Sequence, residues 1–210
     1  MKERPILFSG DMVRAIIDGR KTMTRRIITS KAFKQWVEAG FTDEFIKSPE
    51  NNWHEHCPLG VPGDRLWVKE TWTHGQKRHN VAANAYGYDI QYKADGKCVG
   101  QYHFKSFQDV PYLGLENPYR GIDRIYKWKP SIHMPRWASR ITLEITDVRV
   151  ERLQEISEKD AKAEGVMPDY PTALYASAFS ELWNSINAKR GYGWDANPWV
   201  WVISFKVVTK

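Results

Sequence analysis

Three features of this sequence predict a mixed α+β fold. Residues 139–152 (SRITLEITDVRVER) set Ile141, Leu143, Ile145, Val148 and Val150 between polar residues, the period of a strand with one buried face. Residues 172–187 instead carry Leu174, Ala178, Leu182 and Ile186 at helical spacing. The chain has 210 residues, of which 42% are hydrophobic and 13% aromatic. That is enough apolar surface to offset the entropy of ordering one packed domain, and it excludes a disordered chain or a small disulfide-stapled scaffold. The expected organisation is a single domain over 1–210 with an insertion at about 73–135.

The elements follow in order. Ile6-Leu7-Phe8 reads as a strand, and Asp11 precedes a helix through Ile17 that Gly19 stops. Residues 21–28 are rich in Thr, Arg and Ile, which favours an extended segment. A helix at about 31–39 gives way to polar loop, and Pro58, Gly60, Pro62 and Gly63 mark turns before a strand at 65–72. Residues 73–135 have weak periodicity and many Gly, Pro and Tyr, with one strand candidate at 89–93; hence the reading as an insertion. The alternation of 139–152 shifts phase at Thr146 and Asp147, which calls for a bulge or bend. Ser157 and Asp160 approximate a capping box for a short helix through Ala163 and Glu164. The apolar run at 198–208 (PWVWVISFKVV) closes the chain as a strand buried along much of its length.

Charge and cysteine usage narrow the function classes. Thirty-one Lys and Arg against 25 Asp and Glu give a formal net charge of +6, suited to a polyanionic partner. Cys57 and Cys98 are too few and too far apart for a disulfide framework, which points to the reducing cytoplasm. No run of about 18 apolar residues predicts a membrane span, and the N-terminus lacks the apolar core of an export signal. His54-x-His56-Cys57 lacks a fourth ligand at zinc spacing, so no metal and no cofactor are expected. A P-loop frame and a nucleophile elbow are both absent from the sequence.

The densest chemistry lies at Gly19-Arg20-Lys21-Thr22-Met23-Thr24-Arg25-Arg26, four cations and two hydroxyls in eight residues. Such a segment can grip a phosphate, or set a nucleophile beside a base; on spacing alone, a solvated basic strand is the plainer reading. Lys21 and Thr24, three apart, fall on opposite faces of a regular strand, so their convergence requires a turn or bulge.

The segment from Ile17 to Arg26, Pro62-Gly63-Asp64 before a strand, the 157–164 helix and the closing strand at 200–205 together resemble the ASCH family of the PUA-like superfamily. Residues 130–140 (PSIHMPRWASR) are similar to a segment of the larger ASCH proteins of phages and prophages. The resemblance spans nearly the whole chain, and it implies a PUA-like β-barrel with flanking helices. One small bacterial ASCH branch hydrolyses N4-acetylcytidine with a lysine, a threonine and a glutamate. Carried over by motif, this implies Lys21 as base, Thr24 as nucleophile and Glu164 as proton donor. Arg20, Arg25 and Arg26 would then hold polar parts of the ligand. The implied partner is RNA or a modified cytidine nucleoside, with no membrane and no obligate protein partner. The family equally implies two alternatives: a non-catalytic RNA-binding module, or a ribonuclease.

Ten Trp form a second constellation. Trp72 near Lys69, Trp128 between Lys127 and Lys129, and Trp137 after Arg136 pair flat rings with cations, as a base-stacking surface requires. Trp67, Trp183, Trp199 and Trp201 are expected in the core. Glu70 is a second carboxylate for the site, or else a surface residue; His133 joins Arg136 as a candidate substrate contact.

Overall fold

The computed structural model of the chain describes residues 1–80, 85–104, 128–170 and 172–208. In chain order its elements are β1 (Glu3–Leu7), α1 (Gly10–Ile17), β2 (Met23–Ile27), α2 (Lys31–Glu38), α3 (Asp43–Lys47), β3 (Arg65–Lys69), β4 (Trp72–Asn80), β5 (Ala85–Tyr92) and β6 (Cys98–Phe104). They continue with β7 (Thr142–Arg152), α4 (Glu158–Ala163), α5 (Tyr175–Asn187) and β8 (Trp199–Val208). Five strands form one sheet in the order β1-β3-β7-β8-β2, and β4-β5-β6 form a second. The mixed α+β class predicted from the sequence is the class observed. The chain divides into two compact units: Met1–Arg4, Ala15–Leu66 and Thr142–Lys210 make the first, Pro5–Arg14 and Trp67–Ile141 the second.

In the first unit, β8 pairs antiparallel with β7 on one side and with β2 on the other. Both its faces are covered, which is why WVWVISF reads as a continuous apolar run. Val200 and Val202 join Met23, Leu153, Ile156, Ala161, Phe179 and Trp183 in one core cluster. Trp199 and Trp201 meet Phe33 of α2, with ring centroids 5.6 and 6.5 Å away. Burying each of these large side chains contributes about 1.5–3 kcal/mol. The β7–β8 register slips between Ile145 and Asp147, where the phase shift in the sequence calls for it.

Two expectations in this unit change. The buried stripe of α5 is Phe179, Trp183 and Asn187, whereas Leu174 and Ile186 are exposed. The stripe is rotated by one residue, about 100°, which puts the Phe179 and Trp183 rings in the core, where Trp183 Nε1 also finds an acceptor, the Tyr192 carbonyl, at 2.7 Å. The polar stretch after Ala39 contains α3, capped by Thr42, whose hydroxyl accepts from Phe45 N at 3.2 Å. Thr42 followed by Asp43-Glu44 is an N-terminal signature.

The second unit holds the three-stranded antiparallel sheet, with Trp72 opposite Tyr92 and Gln91 opposite Cys98. The expected strand at 89–93 falls largely within β5, but β4 and β6 flank it. β4 escapes a hydropathy reading because, after Trp72, its sequence THGQKRHN is polar; backbone pairing, not an apolar face, marks it as a strand. Residues 81–84 and 105–127 of the expected insertion lie outside the described residues. Trp72, Ile90, Tyr92, Met134 and Ala138 form this unit's core.

Candidate functional site

The site in the first unit begins where α1 stops. Gly19, at φ +73°, turns the chain out of the helix, and the amides of Arg20 and Lys21 both donate to the Ala15 carbonyl at 2.9 Å. Lys21 then forms an isolated antiparallel bridge with Glu164, the residue that ends α4, while Thr22 N donates to the Ala163 carbonyl at 2.8 Å. Ser157 starts α4 as the sequence predicts, its hydroxyl accepting from Asp160 N at 3.1 Å. Gly165, at φ +82°, lets the α4 end come this close. A Cβ there would sit 2.8 Å from the Cβ atoms of both Ala15 and Lys21.

This backbone contact brings two charged side chains together out of water. Lys21 is 1% and Glu164 4% exposed. Lys21 Nζ donates to Glu164 Oε2 at 2.7 Å and to the Glu164 carbonyl at 2.8 Å. Burial pushes the Lys21 amine below its ordinary value of 10.5; the Glu164 carboxylate pulls the other way, and the charges of Arg26 and Arg25 add to the lowering. Glu164 ends a helix, yet its carboxylate is buried and not solvated.

Arg25 reaches the same carboxylate, with Nη1 3.4 Å from Glu164 Oε1. Its Nη2 lies 3.1 Å from both Glu151 Oε2 and Asp160 Oδ2, and Arg149 donates to those two carboxylates as well. The guanidinium of Arg25 is therefore engaged with protein carboxylates from β7 and α4. Arg20 donates to the Gly165 carbonyl at 2.9 Å and to Asp18. Thr24 is 3% exposed and pairs with Ile203 in the β2–β8 register. Strand alternation places Lys21, Met23 and Arg25 on one parity and Thr24 with Arg26 on the other. Burial lowers the Arg26 guanidinium below its ordinary value, and the Glu164 charge opposes that lowering. The structure brings Lys21, Arg25 and Glu164 into direct contact and leaves Thr24 buried one position away. Beside Arg149 opens a cleft of about 340 Å³, lined also by Lys47, Trp53, His54, Asp147 and Val150.

In the second unit, the parity of β3 and the residues after it decides which candidates face inward. Leu66 and Val68 are buried, and Glu70 and Trp72 share their parity at 1% exposure each. Glu70 is therefore not a surface residue. Arg140 clamps it with two hydrogen bonds of 2.9 Å, binds Asp95 at 2.8 Å, and lies 4.0 Å from the centre of the Tyr92 ring. Burial opposes the charge of Arg140, but the bonds to Glu70 and Asp95 outweigh it and hold the group above the ordinary arginine value. Trp72 packs in the core with Trp137 edge-on at 6.1 Å and Lys129 Nζ at 5.4 Å. Trp67, expected in the core, has the opposite parity and is only partly buried, with Lys69 and Arg136 over its ring at 5.5 and 6.0 Å. The apolar parity of Leu66 and Val68 was the signal for this. His133 is exposed.

Cys57 is buried, which pushes its thiol up. Among the described residues no cluster of His, Cys, Asp or Glu could hold a metal ion, and no helix is long and apolar enough to cross a membrane.

No family model and no curated protein matches this sequence. Two solved structures are similar. One is a DUF984 protein from Enterococcus faecalis V583, at 12% identity and a TM-score of 0.39; the likeness covers 93% of this chain but only 65% of that one. The other is an ASCH domain from Lactobacillus crispatus JV V101, at 14% identity and a TM-score of 0.40, covering 98% of this chain and 79% of that one.

Proposed function

We propose that this chain is an RNA- or nucleoside-directed protein of the ASCH type, its five-stranded sheet part of a PUA-like barrel, that hydrolyses the amide of N4-acetylcytidine or a related N4-acylated cytidine. The observation that carries the reading is the buried contact between the Lys21 amine and the Glu164 carboxylate, at the two motif positions where the family resemblance puts a base and a proton donor. A lysine whose amine is lowered by burial can spend part of its time neutral, which a general base must do. The reaction requires the Thr24 hydroxyl, on the other strand parity, to come within reach of Lys21, which takes its proton as the threonine oxygen bonds to the acyl carbon. The 2.7 Å bond then offers that proton a route to Glu164, which passes it to the departing N4 as the carbon–nitrogen bond breaks. Water next attacks the acyl-threonine, releasing the carboxylic acid and restoring the hydroxyl. Arg25 holds Glu164 in place.

The test is to incubate the protein with N4-acetylcytidine and follow cytidine by chromatography. Wild type and Thr24→Ser turn over, whereas Thr24→Val, which keeps the shape but not the hydroxyl, does not. Turnover by Thr24→Val at the wild-type rate would rule out threonine as nucleophile. A second reading, a non-catalytic RNA-binding module, is favoured by one observation: Lys21, Thr24 and Glu164 are all no more than 4% exposed, as structural ion pairs also are. Absence of turnover by the wild type, with salt-sensitive retention of RNA, selects that reading.

A further inference from the structure

The positive charge of this chain is segregated. Among the described residues the second unit carries 9 Lys and Arg against 4 Asp and Glu, the first 17 against 18, so the net positive charge belongs to the second unit. In that unit a large aromatic ring stands on the outer parity of β3. Trp67 is half-buried while Leu66 and Val68, on either side of it, are fully buried. Lys69 Nζ and Arg136 Cζ lie 5.5 and 6.0 Å from the centre of the Trp67 ring. Lys69 is steadied by the Ile132 carbonyl, and Ile132 itself is 61% exposed.

We infer that this face of the second unit binds single-stranded RNA, with one base stacking on Trp67 and the flanking phosphates taken by Lys69 and Arg136. The choice of RNA rests on the RNA-directed reading above; the surface itself rests only on the second unit. A half-buried ring with two cations over it supplies what a single strand needs, a flat face for a base and positive charge for the linkages, once the cations swing from the indole onto the phosphates and the base takes their place. A folded acidic protein would use the charge but has no equivalent need for the indole.

The experiment is fluorescence anisotropy of a labelled single-stranded RNA 12-mer, about the upper range of one single-strand site, titrated with the full chain at several salt concentrations. Trp67→Ala weakens binding by about tenfold or more and Trp67→Phe recovers most of the loss. In Lys69→Ala/Arg136→Ala the logarithmic salt slope falls by about 1.4, roughly 0.7 for each phosphate that no longer meets a cation. Circular dichroism shows that each variant is folded; Trp67→Phe and the double variant decide the matter if Trp67→Ala is not. Equal binding by wild type and these variants overturns the inference. So does displacement of the RNA by polyglutamate as readily as by unlabelled RNA, which would mean the face reads charge alone. Cytidine release from N4-acetylcytidine is measured separately, so failure of hydrolysis leaves the RNA surface standing, and the converse.

Discussion

Lys21 shows how a single burial changes the chemistry of a residue. Its folded-state amine lies below 10.5, so between that lowered value and 10.5 the unfolded chain binds one more proton than the native one. Stability therefore rises with pH across this window. Urea unfolding should show the wild-type midpoint climbing with pH there and Lys21→Met losing the climb; a flat wild-type curve would place the amine at its ordinary value. The Glu70–Arg140 clamp makes a second residue-level prediction. Arg140→Ala leaves the carboxylate of Glu70 buried at 1% exposure without its partner, and should cost about 3–5 kcal/mol in denaturant unfolding. A loss below about 1 kcal/mol, the range of exposed pairs, would show that Glu70 is solvated in solution. The density of charge in the Gly19–Arg26 segment was legible in the sequence, but on spacing it read as a solvated strand, and the burial of Lys21, Thr24 and Arg25 was not legible because it depends on β8 and α4 from the far end of the chain. The Glu70–Arg140 pairing was not, since nothing in either residue's neighbourhood announces a partner 70 positions away.

At the scale of elements, the site depends on how α4 ends. Gly165 holds φ +82° with no room for a Cβ against Ala15 and Lys21, so Gly165→Ala must both strain the backbone and push the α4 end off the Lys21 bridge. The expected outcome is a loss of about 1–3 kcal/mol in stability, with hydrolysis falling further than the stability loss explains. Retention of full activity would mean that the bridge does not set the site. The Ser157 cap and the β7 bulge could be read from sequence because each is written in adjacent residues. The stripe of α5 could not. Its Leu and Ile positions and its Phe and Trp positions are rival faces, and the packing against Met23, Val200 and Val202 selects the aromatic one. In β3 the apolar parity was legible, and following it places Trp67 outward and Glu70 and Trp72 inward.

The whole molecule separates its charges in a way that the total of +6 conceals. The second unit is assembled from residues 5–14 and 67–141, so only the fold tells which cations belong together. The first unit, balanced in charge, holds the buried amine and carboxylate on which the proposed reaction turns. The most direct test of that proposal is the pH dependence of kcat/KM for N4-acetylcytidine in wild type and Lys21→Arg. A base must be neutral, so the wild-type rate should rise with pH through an apparent pKa below 10.5. Lys21→Arg, which stays charged, should be inactive at every pH. Wild-type rates in Lys21→Arg, or a wild-type rise centred on the ordinary lysine value, would contradict the assignment of Lys21 as the base.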